Sequence, residues 1–117
     1  MRQTYTSSQA PAPLTYVVER AGLRFSDGTR IDIGDDARAQ VTRIDEHGAD
    51  VALERGAVTA AVSHRRGARW QLAAGPFTVR VTGTKFTVSW DADDEVFALS
   101  MHEGSVVVSG PGLGEAR

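Results

Sequence analysis

Two runs of strict apolar–polar alternation, which meet at Gly83, constrain this chain more than any other part of its sequence. A period of two that uses β-branched and aromatic residues is typical of half-buried β-strands. Because glycine lacks a Cβ, Gly83 is expected at a turn or bulge between the two strands. We therefore predict a central hairpin over residues 75–90, in which Gly83→Val should destabilise the fold by well over the ~1 kcal/mol typical of point mutants. Its inward residues are Phe77, Val79, Val81, Phe86, Val88 and Trp90.

The rest of the chain shows the same pattern of short predicted strands separated by turns. Turn signals recur about every 8–12 residues, and no segment keeps a 3.6-residue period over three turns. Residues 57–62 are Ala-rich enough for a helix to compete, but their Val and Thr content favours a strand. We predict an all-β fold of about ten short strands in a single compact sandwich or roll, with little or no helix.

Residues 53–58 and 101–106 share an apolar-x-x-Gly-small-Val pattern. Repeated units of this kind leave solenoid-like stacking open as a second arrangement of the same strands. The continuous apolar run of residues 106–108 is expected to be buried on both sides, or to form an edge under cover. The residues predicted to be buried are Leu72, Phe77, Val79, Val81, Phe86, Val88, Leu99 and Val107.

The composition and the positions of glycine and proline predict one domain with short flanking segments. Residues 1–13 are polar and Pro/Ala/Ser-rich, as in a flexible lead or linker. An all-β domain is expected over residues 14–110, followed by a tail over residues 111–117. No run approaches the roughly 18 apolar residues that span a bilayer, and the first residues lack the apolar core of a signal peptide. An exported protein with this sequence is therefore expected to be longer.

Charge and cysteine content exclude several classes of function. The chain has 13 Lys and Arg against 15 Asp and Glu, with a net charge of -2. A nucleic-acid or anionic-membrane footprint requires a basic excess, so neither partner is expected. The absence of cysteine excludes thiolate catalysis, disulfides and cysteine-ligated zinc.

The residues capable of site chemistry do not form recognisable motifs. Asp91, Asp93, Asp94 and Glu95 are dense enough to suggest a calcium loop, but the glycine and terminal glutamate of an EF-hand are missing, which favours a solvated hairpin loop. No serine lies in Gly-x-Ser-x-Gly, and the Gly/Pro run of residues 110–114 lacks a following helix and a lysine. We predict no catalytic, metal or cofactor residue and no enzymatic activity. The three histidines, all expected at turns or strand ends, are His47, His64 and His102.

Four segments, in order, resemble the FecR protein domain. Residues 70–88 (WQLAAGPFTVRVTGTKFTV) carry its most specific pattern, V-x-V-x-G-T-x-F-x-V, and residues 101–108 (MHEGSVVV) are similar to its closing L-x-E-G-x-V-x-V. Residues 23–31 (LRFSDGTRI) and 51–58 (VALERGAV) match its earlier strand–turn–strand segments.

The resemblance implies an extracytoplasmic, usually periplasmic, all-β domain joined to a membrane span and often to a cytoplasmic anti-sigma region. In the iron-uptake members this domain senses the signalling domain of a TonB-dependent transducer. The expected role is therefore the sensing or scaffolding part of a sigma-factor regulator, acting through protein–protein contacts in a longer membrane-anchored protein. The expected partner is such a transducer or another envelope protein, without a cofactor, and the membrane is contacted only through a segment outside this chain.

A binding surface for that partner is expected on the polar side of the central hairpin. Backbone groups at open strand edges supply affinity for an added strand, and alternate exposed side chains supply selectivity. The predicted partner-binding residues are Arg80, Lys85 and Thr87. The alternative function is a cell-wall or polysaccharide-binding module, which requires Trp70 or Trp90 to be accessible beside a charged residue. Burial of both tryptophans would count against it.

Overall fold

The structure is a computed structural model that describes residues 14–63, 67–81, 84–111 and 114–116. Every regular element in these ranges is a β-strand, which confirms the predicted all-β class. The strands are β1 (Tyr16–Glu19), β2 (Gly22–Phe25), β3 (Arg30–Ile33), β4 (Arg38–Ile44), β5 (Ala49–Val62), β6 (Trp70–Ala74), β7 (Phe77–Val81), β8 (Thr84–Asp91), β9 (Val96–Glu103), β10 (Val106–Gly110) and β11 (Gly114–Ala116).

The 14-residue strand β5 joins all the others into one mixed sheet. Its C-terminal part pairs with β3 and β8, and β1–β2 and β9 continue this side in the order β1-β2-β3-β5-β8-β9. Its N-terminal part pairs with β4 and β6, in the order β4-β5-β6-β7-β10-β11. We call these two parts the front and back half-sheets.

The two half-sheets face each other across one apolar core. The Phe25 ring of the front half-sheet meets Trp70 of the back edge-on, with ring centroids 4.7 Å apart. Phe77 of the back half-sheet stacks on Phe97 of the front at 4.7 Å and lies beside Trp90. Inward residues alternate with outward ones along most strands, as a two-layer β fold requires.

Most of the predicted core residues lie in this interface. Leu72, Val79, Val81, Phe86 and Val88 are buried, whereas Phe77 and Leu99 are partly buried at its margin. The prediction for Val107 is wrong, because Val106 and Val108 point inward and leave Val107 half-buried on the outer face.

The solenoid-like alternative is not supported by the pairing among the described strands. In a solenoid, equivalent strands of successive coils stack in parallel. Here β5–β6 is a parallel pair, and every other described pair is antiparallel.

The prediction of a central hairpin over residues 75–90 is wrong, although both of the predicted strands are present. Strand β7 pairs with β6 and β10 in the back half-sheet, and β8 pairs with β5 and β9 in the front half-sheet. The chain therefore crosses from one half-sheet to the other between Val81 and Thr84. Gly83 itself lies outside the described residues, so the prediction for Gly83→Val stays a prediction.

One other strand boundary differs from the expectation. Residues 51–58, compared above with a strand–turn–strand segment, lie in one continuous strand, because β5 runs through Arg55 and Gly56 and changes half-sheet there. Strand β11 pairs with β10 within the stretch predicted to be a tail, and the division into lead, domain and tail stays a prediction.

Two turns that the sequence predicts are, in contrast, present in the structure. Phe25 and Thr29 close a three-residue loop in which Gly28 has φ of 95° and the Asp27 carboxylate accepts from the backbone N–H of Thr29. The acidic cluster likewise forms the loop between β8 and β9, where Asp91 Oδ1 accepts from the backbone N–H groups of Asp93 and Asp94.

Candidate partner-binding surface

The three residues predicted to bind a partner lie on opposite outer faces of the molecule. Arg80 is exposed on β7 of the back half-sheet, between the buried Val79 and Val81. Lys85 is exposed on β8 of the front half-sheet, and Thr87 is half-buried beside it. Because the core separates the two half-sheets, Arg80 cannot contribute to one binding surface with Lys85 and Thr87.

Thr87 takes part in a row of polar side chains across the front half-sheet. Its Oγ1 lies 3.0 Å from Thr59 Oγ1 on β5 and 3.0 Å from His102 Nε2 on β9. Cross-strand contacts of this kind stabilise neighbouring strands. Thr87 and His102 are thus engaged within the sheet, and the row is flanked by the exposed Lys85.

The charged side chains of the β4–β5 turn are linked to one another and to the backbone. Asp45 Oδ1 accepts hydrogen bonds from the backbone N–H groups of His47 and Gly48, and Asp45 also pairs with Arg43. These hydrogen bonds, that of His47 first, lower the pKa of Asp45. Arg43 also binds Asp50 at 3.0 Å, and this hydrogen bond raises the pKa of Arg43. All of these bonds close a turn within the chain, so we interpret the cluster as structural.

No group of three or more metal-ligating side chains occurs within the described ranges. His47 lies at the β4–β5 turn and contacts Glu46, whereas His102 lies on β9 against Thr87. His64 falls outside the described residues.

Both tryptophans are buried. Trp70 is 2% and Trp90 8% exposed, and each ring packs against a phenylalanine. A sugar-binding surface needs an accessible aromatic face, so their burial counts against the polysaccharide-binding alternative.

The most unusual surface is one that the sequence did not single out, the edge strand β1. Tyr16, Val17 and Val18 are 41%, 54% and 73% exposed and form the largest group of exposed apolar side chains in the described part of the chain. Strand β1 pairs with β2 on one side, and its other side is open within the described residues. A hydrophobic edge strand of this kind is a template for pairing with another strand.

The same strand forms one wall of an open groove of about 640 Å³ between the two half-sheets. Tyr16 and Val18 lie on the inner face, since they are the register partners of the buried Phe25 and Leu23. Strand β4 forms the opposite wall with the half-buried Ala39 and Val41. The sandwich is therefore open on this side, and the edges of both half-sheets meet the solvent at its mouth. We call it the β1–β4 groove.

A weak signal in the sequence could have identified this edge. Tyr16, Val17 and Val18 are three consecutive apolar residues in a short first strand, without the alternation that other strands show. Such a run reads equally well as a doubly buried strand, and the choice between the two depends on what lies beside it in space.

The comparison with known proteins now places this fold in a family. The sequence profile described as FecR protein matches residues 14–107, which is most of the chain. The chain belongs to the FecR protein family. The match confirms the resemblance that residues 70–88 and 101–108 indicated, and its boundaries enclose both walls of the β1–β4 groove.

Two crystal structures of a protein from Parabacteroides distasonis, assigned as an anti-sigma factor, share the fold of this FecR domain. One matches with a TM-score of 0.66 and 23% identity, the other with 0.62 and 24%. Each match covers 85% of this chain but only 44% and 48% of the solved chains, so the FecR domain here spans less than half of their length. At the significance required, no curated protein matches.

One further finding concerns the membrane. None of the described residues forms a helix long and apolar enough to cross a bilayer.

Proposed function

We propose that this FecR domain works outside the cytoplasm as the sensing or scaffolding part of a sigma-factor regulator, and that it acts without catalysis through contacts with other proteins. The family supports a signalling role, and anti-sigma factors act by binding proteins. The observation that carries the proposal from the structure is the β1–β4 groove, whose apolar wall is open to solvent in a domain of ordinary charge. Apolar patches of this kind mark sites of protein interaction.

The partner that fits this role is an envelope protein, such as the signalling domain of a TonB-dependent transducer. The apolar walls of the groove would supply affinity by burying apolar side chains, whereas side chains outside the groove decide which partner is accepted. Arg80 on the back face and Lys85 and Thr87 on the front face are our candidates for that selectivity. Because they lie on opposite outer faces, Arg80 would contact one partner, and Lys85 with Thr87 would contact another.

The proposed compartment can be tested in the natural protein that carries this domain. A fusion of alkaline phosphatase after Arg117 should be active, because this enzyme folds only where its disulfides form, outside the cytoplasm. A fusion of β-galactosidase at the same position is the matched control and should be inactive. An inactive phosphatase with an active galactosidase would place the domain in the cytoplasm and refute this part of the proposal.

The signalling role requires a second experiment in the natural host, with a transcriptional reporter for the sigma factor that the proposed regulator controls. Val18→Lys places a charge on the groove wall at a side chain that is 73% exposed, so it should change reporter output while the protein accumulates normally. Val96→Lys, at the start of β9 and 54% exposed, is the matched control and should leave the output unchanged. Wild-type output from the Val18→Lys protein would separate the groove from signalling.

A further inference from the structure

We propose that the open edge of β1 binds the β1 strand of a second copy of this chain, so that two front half-sheets join into one continuous sheet. This inference goes beyond the signalling role and does not depend on it. It starts from the edge strands β4 and β9, which carry devices that keep strands apart.

Strand β4 is protected as an edge. Its pairing with β5 is interrupted by register shifts after Arg38 and after Val41, and Arg38 and Gln40 point outward. Strand β9 is protected in a similar way, with a register shift opposite Lys85 and with His102 and Glu103 exposed at its end.

Strand β1 differs from both, because it has no register shift and its exposed side chains are mostly apolar. Its register with β2 runs without a shift from Tyr16 to Glu19, and it contains no proline. Its one charged residue, Glu19, is paired with Arg24 of β2 at 3.0 Å. The edge is therefore regular and mostly apolar, and its one charge is paired within the sheet, which are features that allow another strand to add.

The hydrogen-bond phase of β1 identifies which backbone groups are available. In antiparallel pairs, hydrogen-bonded and non-hydrogen-bonded residue pairs alternate. The backbone N–H of Ser26 donates to the carbonyl of Thr15, and the register continues to Val17–Arg24 and Glu19–Gly22. The N–H and C=O groups of Tyr16 and Val18 therefore point away from β2, toward the open edge.

These two residues are complementary to themselves in a two-fold arrangement. In an antiparallel pair centred on Val17, Tyr16 of each copy exchanges both backbone bonds with Val18 of the other, and Val17 lies opposite its own symmetry mate. Each apolar side chain then meets an apolar side chain. Glu19 lies opposite Thr15, so no like charges face each other. An isologous interface requires this kind of self-complementarity.

A cysteine scan tests both the contact and its register, because the chain has no cysteine of its own. Non-hydrogen-bonded partners in antiparallel strands have Cα atoms about 4.5 Å apart, within the span of a disulfide. Val17→Cys should therefore form a covalent dimer under mild oxidation. In the same register the Cα atoms of two Val18→Cys residues are offset by two positions and lie roughly 8 Å apart, beyond the span of a disulfide.

We expect Val17→Cys to cross-link at least about tenfold faster than Val18→Cys, since association holds the first pair together. Both positions are exposed and lie on the same strand, so collision alone predicts equal rates. Equal rates, or faster cross-linking at Val18→Cys, would overturn the proposed pair.

Sedimentation of the cysteine-free chain across a concentration series provides an independent test. The short contact predicts a weak dimer, because small interfaces are usually transient. Val17→Lys puts two like charges opposite each other and should weaken self-association by about tenfold. Val17→Thr keeps a β-branched residue and serves as the control that should retain most of it. A wild-type chain that stays monomeric at all concentrations would refute the proposal and leave the edge to a different protein.

Discussion

At the scale of single residues, Gly56 controls the path of the longest strand. It lies where β5 leaves the back half-sheet for the front, and its φ of 89° is in the region that side chains disfavour. A Cβ at this position would lie 2.5 Å from Ala37 Cα and 2.6 Å from Ala37 Cβ. The bend therefore depends both on a backbone conformation and on a close approach by the β3–β4 connection.

The two contributions can be separated by comparing Gly56 with Gly67. Gly67 also has a positive φ, of 75°, but an added Cβ would meet no atom within 4 Å. We expect Gly67→Ala to lower the free energy of unfolding by roughly 1–2 kcal/mol, the conformational cost alone. Gly56→Ala should cost clearly more, because Ala37 must also move. Urea denaturation of the two variants measures the difference, and equal costs would show that the contact with Ala37 is easily relieved.

At the scale of elements, β7 and β8 are neighbours in sequence but not in the sheet. The residue facing Thr87 across a strand pair is Thr59 of β5, and their Oγ1 atoms are 3.0 Å apart. In the hairpin that the sequence predicts, Arg80 would instead face Lys85. The two arrangements thus place different residues opposite each other. A disulfide between facing positions can therefore show which arrangement is present.

Two double-cysteine variants distinguish these arrangements. Thr59→Cys with Thr87→Cys should form an intramolecular disulfide, because these residues are direct partners with facing side chains. Arg80→Cys with Lys85→Cys should remain reduced, because the two residues lie on opposite outer faces. Mass spectrometry after oxidation reads out both variants. A disulfide in the second and none in the first would restore the hairpin.

The elements also show how far the sequence could predict the fold. Alternation predicted the strands and most of the inward residues correctly, because the period of two is a local property of each strand. The pairing of β8 with β5 rather than with β7 is a contact between distant segments, which local alternation does not contain. Gly56 was ambiguous for the same reason, since a glycine in a strand pattern is compatible with a turn, a bulge or a bend.

The candidate surface was less predictable than the fold. Lys85 and Thr87 were correctly placed on an outward face, but their separation from Arg80 follows from the crossing between half-sheets. The openness of β1 depends on the absence of a neighbouring strand, which no pattern within Tyr16–Glu19 could report.

At the scale of the whole molecule, the shared strand β5 couples the two half-sheets. In the described fold, β5 is the strand whose backbone hydrogen bonds connect one half-sheet to the other. Neither half-sheet can lose β5 without exposing the inner face of the other. We therefore expect the domain to unfold as one cooperative unit, as small single domains usually do.

The two tryptophans allow this expectation to be tested, since Trp70 lies on β6 of the back half-sheet and Trp90 on β8 of the front. Trp90→Phe leaves a fluorescent reporter of the back half-sheet, and Trp70→Phe leaves one of the front. Within each variant, the urea midpoints from fluorescence and from far-ultraviolet circular dichroism should coincide. Two separated transitions in either variant would mean that the half-sheets unfold independently.

The position of β1 also has a mechanical consequence. Among the described residues, β1 pairs with β2 alone, and its first linkages are the two hydrogen bonds between Thr15 and Ser26. Tension applied to the backbone from the N-terminal side of Leu14 would load these bonds one after another. Strand β1 would then separate from β2 one hydrogen bond at a time. Strand β5, held on both sides along its length, would share the same load over many bonds at once. Under such a load we therefore expect β1 to detach first, while the strands of the core remain paired.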